Sequence, residues 1–381
     1  MEKHVVSRRA FAAKAATAAA TFSSVAPQSV RGSQANSKIS VGLIGSGNRG
    51  AYDGSIVHAD PRARITALAD LYDDRFEMAK QRIKVDNPRT YKDFEKMLSA
   101  ADIDAVIIAT PPFEHPRMLE AAVEAKKHVY CEKPAGVDAE GCRRVIAAGQ
   151  KCDPKKNISF GYQQRYGPVY LEAYKRMVNG DIGTLVNARG FWIANDPFQR
   201  KPYPDPQVEK LRNWFCYKEL SGDILVEQDC HNFDVLHWFL GALPTKAVGF
   251  GGRKVRTSMD ILDHVSLSFQ FPDSINVNFE ANQLTPAGWR RIGEEFTGTK
   301  GVLETSRAKM VHTKAPKDVE TLDSKRDITF DGIENFLGRI QSGDVENVAA
   351  RSAQSTLFAI LGRSAVYQGK EVTWRGEFGN L

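Results

Sequence analysis

The chain has 381 residues, 42% hydrophobic and 26% charged, with a formal net charge of +6. This length exceeds one ordinary compact core and suggests two domains, and the composition is that of a soluble globular protein with no apolar run reaching the roughly 20 residues of a membrane-spanning helix. Residues 1–37 hold Lys3, Arg8, Arg9, Lys14 and Arg31 against only Glu2, so most of the excess charge sits there and nucleic-acid binding has no support from bulk charge.

In that first segment Ser7-Arg8-Arg9-Ala10-Phe11 precedes a weakly apolar, Ala/Thr-rich stretch from Ala12 to Ala26 and a polar segment to Ser37. The pattern looks like a twin-arginine export signal, with Lys14 where this pattern often carries lysine; a disordered basic tail is the plainer alternative. Cleavage is expected between Ala26 and Ala35 by the small-residue rule. Such export implies a periplasmic or extracellular protein that folds, and acquires any dinucleotide, before it leaves the cytoplasm. The five cysteines (Cys131, Cys142, Cys152, Cys216, Cys230) are odd in number and lack Cys-x-x-Cys spacing, which indicates neither a disulfide framework nor a zinc site. They read as mostly buried thiols, and no metal is expected.

From residue 38 to about 163, short strands alternate with helical patterns, the signature of a parallel doubly wound (Rossmann) sheet. Strands are expected at Ile39 to Ile44, Ile65 to Ala69, Asp104 to Ala109, His128 to Cys131 and Ile158 to Tyr162. Helices are expected from Asn48 to His58, from Asp73 or Asp74 to Ile83, from His115 to Ala125 and from Asp138 to about Lys151.

The loop Gly45-Ser46-Gly47-Asn48-Arg49-Gly50 after the first strand has the Gly-x-Gly-x-x-Gly spacing of a dinucleotide cradle. Gly45 permits a tight turn, Gly47 lets backbone approach a pyrophosphate, and Gly50 lets the following helix pack close to the sheet with its N-terminal amides toward the phosphates. Asp70, about twenty residues beyond Gly50, can accept hydrogen bonds from the adenosine ribose and would repel a 2'-phosphate; Arg75 is the nearest cation. NAD is therefore expected over NADP.

Residues 164–381 change character. An aromatic-flanked loop runs from Asn195 to Asn213, with Trp192, Phe198, Tyr203, Trp214, Phe215 and Tyr217 around it; a loop so long without regular structure is usually functional or disordered, and its aromatics serve sugar stacking or packing of the loop itself. Val265, Leu267, Phe269 and Phe271, then Ile275, Val277 and Phe279, alternate with polar residues, as antiparallel strands buried on one face do. With Leu185 to Ala194, Lys246 to Gly251, Arg291 to Thr297 and Val302 to Thr305 they make a five- or six-stranded open sheet. Helices Ile333 to Gln341 and Asn347 to Tyr367 are expected to return to the first domain.

Four motifs together carry a family resemblance: Gly42 to Gly50; Ala109-Thr110-Pro111-Pro112 followed by His115; Lys127-His128-Val129-Tyr130-Cys131-Glu132-Lys133-Pro134; and Asp229-Cys230-His231-Asn232-Phe233-Asp234. After the first segment, the chain resembles the glucose-fructose oxidoreductase / inositol dehydrogenase (Gfo/Idh/MocA) family throughout. The resemblance implies an α/β fold, a Rossmann domain followed by an α/β domain with an open, mostly antiparallel sheet. It also implies a nicotinamide cofactor at their junction, a small-molecule sugar, polyol or cyclitol substrate, and pairing through the second sheet into homodimers or homotetramers. It places Lys133 at the catalytic-lysine position and His231 at the catalytic-histidine position, and adds Ser46, Asn48, Arg49, Thr110, Pro111, Glu132 and Lys133 to the cofactor contacts. One departure is Glu227, four residues before His231, where many family dehydrogenases have aspartate; it keeps the charge but reaches about one methylene further.

Oxidising a secondary alcohol requires removal of the hydroxyl proton as hydride leaves carbon. Lys133 serves if burial and a nearby positive nicotinamide depress its pKa toward neutrality. His231 would share the proton transfer, oriented by Glu227 and Asp234, which share a helical side with it. His237 lacks such company and reads as structural. Gln163, Gln164 and Arg165, just past the last Rossmann strand, are expected in the crevice at the strands' C-terminal ends, with Tyr162 and Tyr166 weaker candidates; Lys133, Gln163, Arg165, Glu227 and His231 form the expected substrate set. Three functions fit: a sugar or polyol dehydrogenase, a redox-neutral enzyme that keeps its NAD, either exchanging hydride between sugars or cleaving a glycoside by transient oxidation, and a non-enzymatic carbohydrate-binding protein on the same scaffold.

Overall fold

The computed structural model describes residues 38–100, 102–314, 316 and 318–381; the export signal expected at residues 1–37 lies outside the described residues. Six short strands form the first sheet: β1 (Ile39–Ile44), β2 (Ala63–Ala69), β3 (Arg89–Tyr91), β4 (Ala105–Ile108), β5 (His128–Cys131) and β6 (Ile158–Phe160). They are parallel in the order β3-β2-β1-β4-β5-β6, the doubly wound arrangement whose ligand crevice opens at the strands' C-terminal ends, where the order reverses between β1 and β4. β1, β4 and β6 are buried along their whole length, which accounts for their apolar character, interrupted only by Ser40 in β1 and Ser159 in β6. The expected helices are present, starting and ending within a few residues of the positions read from sequence; Asp138 caps its helix by accepting from the Gly141 amide at 2.7 Å.

Among the described residues the second sheet has nine strands rather than five or six: β7 (Leu185–Ile193), β8 (Lys246–Gly252), β9 (His264–Gln270), β10 (Asn276–Asn282), β11 (Arg291–Gly298), β12 (Gly301–Thr305), β13 (Lys309–Lys314), β14 (Asp318–Asp323) and β15 (Val372–Thr373). Their order is β14-β13-β12-β11-β7-β10-β9-β8-β15, antiparallel except where β7 meets β10. The strands missing from the sequence reading are β3 of the first sheet and β13, β14 and the two-residue β15 of this one. β13 and β14 are rich in Lys, Asp, Thr and Glu because they lie at a wet end of the sheet, where no apolar alternation is required.

One face of this sheet is apolar. Val265, Leu267 and Phe269 of β9 and Val277, Phe279 and Ala281 of β10 join a core with Phe233 and Phe239 of the helix Cys230–Leu240 and Phe358 of the helix Ala349–Gln368. The register puts Phe250, Ser266, Glu280 and Phe191 in one row across the opposite face, where Phe250 is 78% exposed. The helix Ile328–Ser342 inserts Ile333, Phe336 and Leu337 into the core behind β1 and β2.

The stretch Asn195 to Asn213 is not structureless. Pro206–Arg212 is helical, with Asp205 capping the Gln207 and Val208 amides, and buried Asn213 ties the segment to itself through Lys201 and Glu209. The helix Pro168–Val178 was also not anticipated.

Candidate active site

A cleft of about 1020 Å³ runs along the C-terminal ends of the parallel strands and under the second sheet, the size range of small-molecule and cofactor sites. One end is shaped by backbone. Gly45 has φ +87°, and a Cβ there would come within 2.7 Å of the Ala109 carbonyl; at Gly50 it would meet the Gly45 carbonyl oxygen at 1.9 Å. At Gly47 a side chain would meet nothing and project into open space, and the helix Asn48–Ala59 begins directly after it. A pyrophosphate fits here, with backbone accessible at Gly47, helix amides behind it and the buried Ser46 Oγ without a partner among the described residues. Asp70 lies at the tip of β2, its Oδ2 accepting from the Ser46 amide at 2.8 Å and its Oδ1 from the Tyr72 amide at 3.0 Å. Burial raises its pKa against the pull of those two amides. These bonds fix the carboxylate at the cleft wall with lone pairs to spare for ribose hydroxyls.

Arg49 and Glu132 join the cradle to the middle of the cleft. Arg49 Nη2 donates to Glu132 Oε1 at 2.8 Å, and its Nε lies 3.2 Å from the fully buried Asp53 carboxylate. Gly161 makes room: a Cβ there would sit 2.4 Å from Glu132 Oε1. Thr110 and Pro111 line the cleft beside Gly45. Buried His115 has Nδ1 2.7 Å from the Pro134 carbonyl and Nε2 3.0 Å from the Thr110 carbonyl, so it ties the turn carrying Lys133 to the turn carrying Thr110.

At the other end, Lys133 Nζ donates to the Glu227 main-chain carbonyl and to Glu227 Oε1 at 3.1 Å, the two side chains being 13% and 14% exposed. Burial opposes the lysine's charge, but Glu227, Cys230 and Glu132 together outweigh it and hold its pKa above the ordinary lysine value. The expected depression toward neutrality is therefore not found in the protein alone; the carboxylate partner reverses it. Glu227 Oε2 is buried without a partner among the described residues.

His231 lines the same part of the cleft, buried, its ring parallel to Trp192 at 6.1 Å and edge-on to Tyr162 at 6.2 Å. Burial, with the charges of Arg307, Lys133 and Arg49, pushes its pKa well below the ordinary histidine value, and Nδ1 has no partner among the described residues. Gln163 also lines the cleft.

Two expectations about side-chain partners are corrected. Asp234 does not orient His231; it accepts from Arg165 Nε and Nη2, each at 2.8 Å, and from Ser355 Oγ at 2.7 Å, in a pair whose side chains are 12% and 1% exposed. The same pairing takes Arg165 out of the cleft wall, its guanidinium 5.3 Å from the Trp238 ring. Tyr162 turns away to Thr356 at 3.0 Å, and His237 Nδ1 meets Ser355 Oγ at 3.0 Å.

The aromatic-flanked segment divides. Trp192, Trp214 and Phe215 face the cleft, whereas Phe198 stacks on Phe215 at 4.8 Å and Tyr217 donates to Glu209 at 2.6 Å, which packs the segment on itself. At its end Arg212 reaches across to the Rossmann side: it donates to both Asp74 carboxylate oxygens at 2.8 and 2.5 Å and lies 4.0 Å from the Tyr72 ring centroid. Neither Arg212 nor Arg307, both in the cleft wall, was singled out from sequence, since neither sits in a motif and only the tertiary fold brings them there.

Residues 39–155 match the family profile described as the oxidoreductase family, NAD-binding Rossmann fold, and residues 170–304 match the GFO/IDH/MocA C-terminal domain. The chain is 30% identical over 267 residues to an inositol 2-dehydrogenase of Acidothermus cellulolyticus, covering 70% of this chain and 72% of that protein. It is 25% identical over 326 residues to an inositol 2-dehydrogenase of Rhizobium meliloti, covering 79% and 88%. Among solved structures, a myo-inositol 2-dehydrogenase from Lactobacillus plantarum superposes with TM-score 0.72 at 21% identity, and a levoglucosan dehydrogenase in complex with NADH and levoglucosan with TM-score 0.76 at 19% identity. Each covers 88% of this chain, and 99% of the solved chain is matched, which establishes the shared fold. With its glycine cradle, its Lys133–Glu227 pair and both halves of the family pattern in place, the chain belongs to the Gfo/Idh/MocA family of NAD-binding oxidoreductases.

Proposed function

We propose that the protein oxidises a hydroxyl group of a sugar, polyol or cyclitol, with residues 38–163 holding NAD and residues 164–381 completing the substrate side. Relatives named for inositol support this substrate class. The observation that carries the reading is the convergence of Lys133, Glu227 and His231 on one cleft wall beyond the dinucleotide cradle. The dinucleotide, when bound, supplies the hydride acceptor. Lys133, charged at neutral pH, donates a hydrogen bond that stabilises the substrate oxygen as it becomes an alkoxide. His231 is neutral and its Nδ1 is free to take the hydroxyl proton. Glu227 fixes Lys133 through two acceptors, and its longer side chain places the second carboxylate oxygen in the same pocket. Asp70 selects NAD.

A redox-neutral cycle with retained cofactor is the second reading, and the Arg212–Asp74 bridge favours it, because it closes the segment after Pro206 over the adenosine side of the cleft. The Arg8-Arg9 signal supports export, where free NAD is not expected to be supplied and a bound cofactor must be regenerated in place. The outer face of the nine-stranded sheet, with Phe250 and Phe191 in one row, is the proposed contact between copies in a dimer or tetramer. The test is spectrophotometric: the purified protein is scanned for bound dinucleotide and then mixed with candidate carbohydrates. Cofactor reduction at 340 nm or carbohydrate turnover supports the reading. Carbohydrate binding with neither outcome would favour the non-enzymatic alternative.

A further inference from the structure

Most cations along the cleft wall have a carboxylate partner within ion-pair distance. Arg49 has Glu132 and Asp53, Arg117 has Glu114 and Glu95, Arg212 has Asp74, and Lys133 has Glu227. Arg75, at the adenosine end, lies in the field of Asp70 and Asp74. Arg307 has no carboxylate within ion-pair distance among the described residues.

Its position is built. Arg307 occupies the tight turn between β12 and β13, closed by the Ser306 amide donating to the Lys309 carbonyl at 2.8 Å, and it is aimed into the cleft rather than to bulk water. Its Nε is buried without an acceptor, and the guanidinium lies 6.0 Å from the Trp192 ring centroid. Trp192 also lies parallel to His231 at 6.1 Å, so Arg307 and the proposed proton acceptor are both near one aromatic ring. Burial works against its charge, Arg49 and Arg290 repel it, and of the carboxylates only the more distant Asp327 offsets them. A guanidinium drawn out of water without a counter-ion is destabilising, and its five fixed donors match a carboxylate in bidentate geometry.

We propose that Arg307 anchors a carboxylate on the substrate, so that the preferred substrate is an acidic carbohydrate, a uronic acid unit, and not a neutral polyol. This deepens the oxidoreductase reading and rests on its placement of the substrate beside His231. The anion would supply the missing partner of Arg307, and it would also offset the positive field that now disfavours a proton on His231, so binding of the correct substrate prepares the base. The anchor lies in the turn between β12 and β13 of the second sheet, the cradle after β1 of the first.

The experiment is a titration of the full chain saturated with NADH, following Trp fluorescence, with D-glucuronate against D-glucose and D-galacturonate against D-galactose; glucose 6-phosphate is a further arm. At least one acid is expected to bind about tenfold or more tightly than its neutral parent, as a charge-assisted bidentate contact should. Arg307→Gln should bring that ratio close to one, Arg307→Lys should keep part of it, and NADH affinity should move by less than about threefold in both. Equal binding of acids and neutral parents overturns the proposal, as does an acid preference that survives Arg307→Gln. Tighter, Arg307-dependent binding of the phosphate ester than of either uronate overturns the carboxylate assignment, and loss of NADH affinity in Arg307→Gln assigns the residue to the cofactor instead. Absorbance at 340 nm in the NAD-loaded protein separates the two levels. Arg307-dependent acid binding without hydride transfer keeps this inference and rejects the oxidoreductase role; hydride transfer from neutral sugars without acid preference does the reverse.

Discussion

At the dinucleotide end of the cleft the backbone does the shaping: Gly45, Gly47 and Gly50 clear space within six consecutive residues, and Asp70 is fixed by two main-chain amides. At the substrate end the work is done by side chains far apart in the chain, Lys133 against Glu227 and Trp192 near both His231 and Arg307. A site made of backbone tolerates changes in charge but not in volume; a site made of paired charges shows the opposite sensitivity.

The largest effect is expected from Lys133→Ala, which removes the oxyanion's donor and leaves Glu227 unpaired. Turnover should fall about a hundredfold or more while NADH affinity, measured by fluorescence, changes by less than about threefold. A variant retaining wild-type turnover would take Lys133 out of the mechanism. On the backbone side, Gly161→Ala needs only one methyl group: its Cβ would press on Glu132, break the bond to Arg49 and cost about 1–3 kcal/mol in urea unfolding, with weaker NADH binding. An unchanged unfolding midpoint would mean that Glu132 has room to move and that volume is not the constraint at this end.

Coenzyme choice should be separable from both. Replacing Asp70 by Ser together with Leu71→Arg, Leu71 being 63% exposed at the cleft edge, should move the NADPH-to-NADH affinity ratio about tenfold or more toward NADPH, since a cation replaces a carboxylate opposite the 2'-phosphate. If the wild type already prefers NADPH in direct titration, the assignment of Asp70 fails. Arg212→Ala removes a partly exposed bridge worth about 1 kcal/mol, and should speed NADH release by about fivefold in a stopped-flow chase. Unchanged release would leave Arg212 a packing residue.

The smallest effect concerns acid. His237 is lowered by burial to about 4, so it is neutral when folded, but it takes up a proton near pH 6.5 when unfolded. The unfolded state then binds more protons, and the contribution to stability is complete above about pH 6.5 and declines as pH falls toward about 4. His237→Asn should flatten the fall of the urea midpoint across that window; an unaltered slope would show that His237 does not titrate on unfolding.

The difference between the two ends also explains what the sequence made visible. The cradle, Asp70 and the Lys133 turn are local patterns following short strands, and the sheet types and most strand positions followed from apolar runs in the first domain and alternation in the second, whereas the short polar β3 carried neither. The role expected of Asp234 rested on helical spacing from His231, whereas its partner is Arg165, 69 positions away, held in place by Ser355 of a late helix. Arg307 sits in the turn before β13, a strand too rich in polar residues to stand out, and the segment ending at Arg212 looked like a loop because its helix is only about two turns long, capped by Asp205. Such contacts are set by which surfaces the fold brings together, and no local pattern encodes them.

The central claim, that His231 accepts the hydroxyl proton while Lys133 stays charged, is tested most directly by the pH dependence of the hydride-transfer step in single turnover, followed at 340 nm with NAD-loaded protein. With His231 held neutral and Lys133 held above its ordinary pKa, the rate should be flat between about pH 7 and 9 and decline at higher pH as Lys133 loses its proton. A rate that instead climbs tenfold per pH unit through that range, and loses the climb in Lys133→Ala, would make the lysine the base and contradict the account.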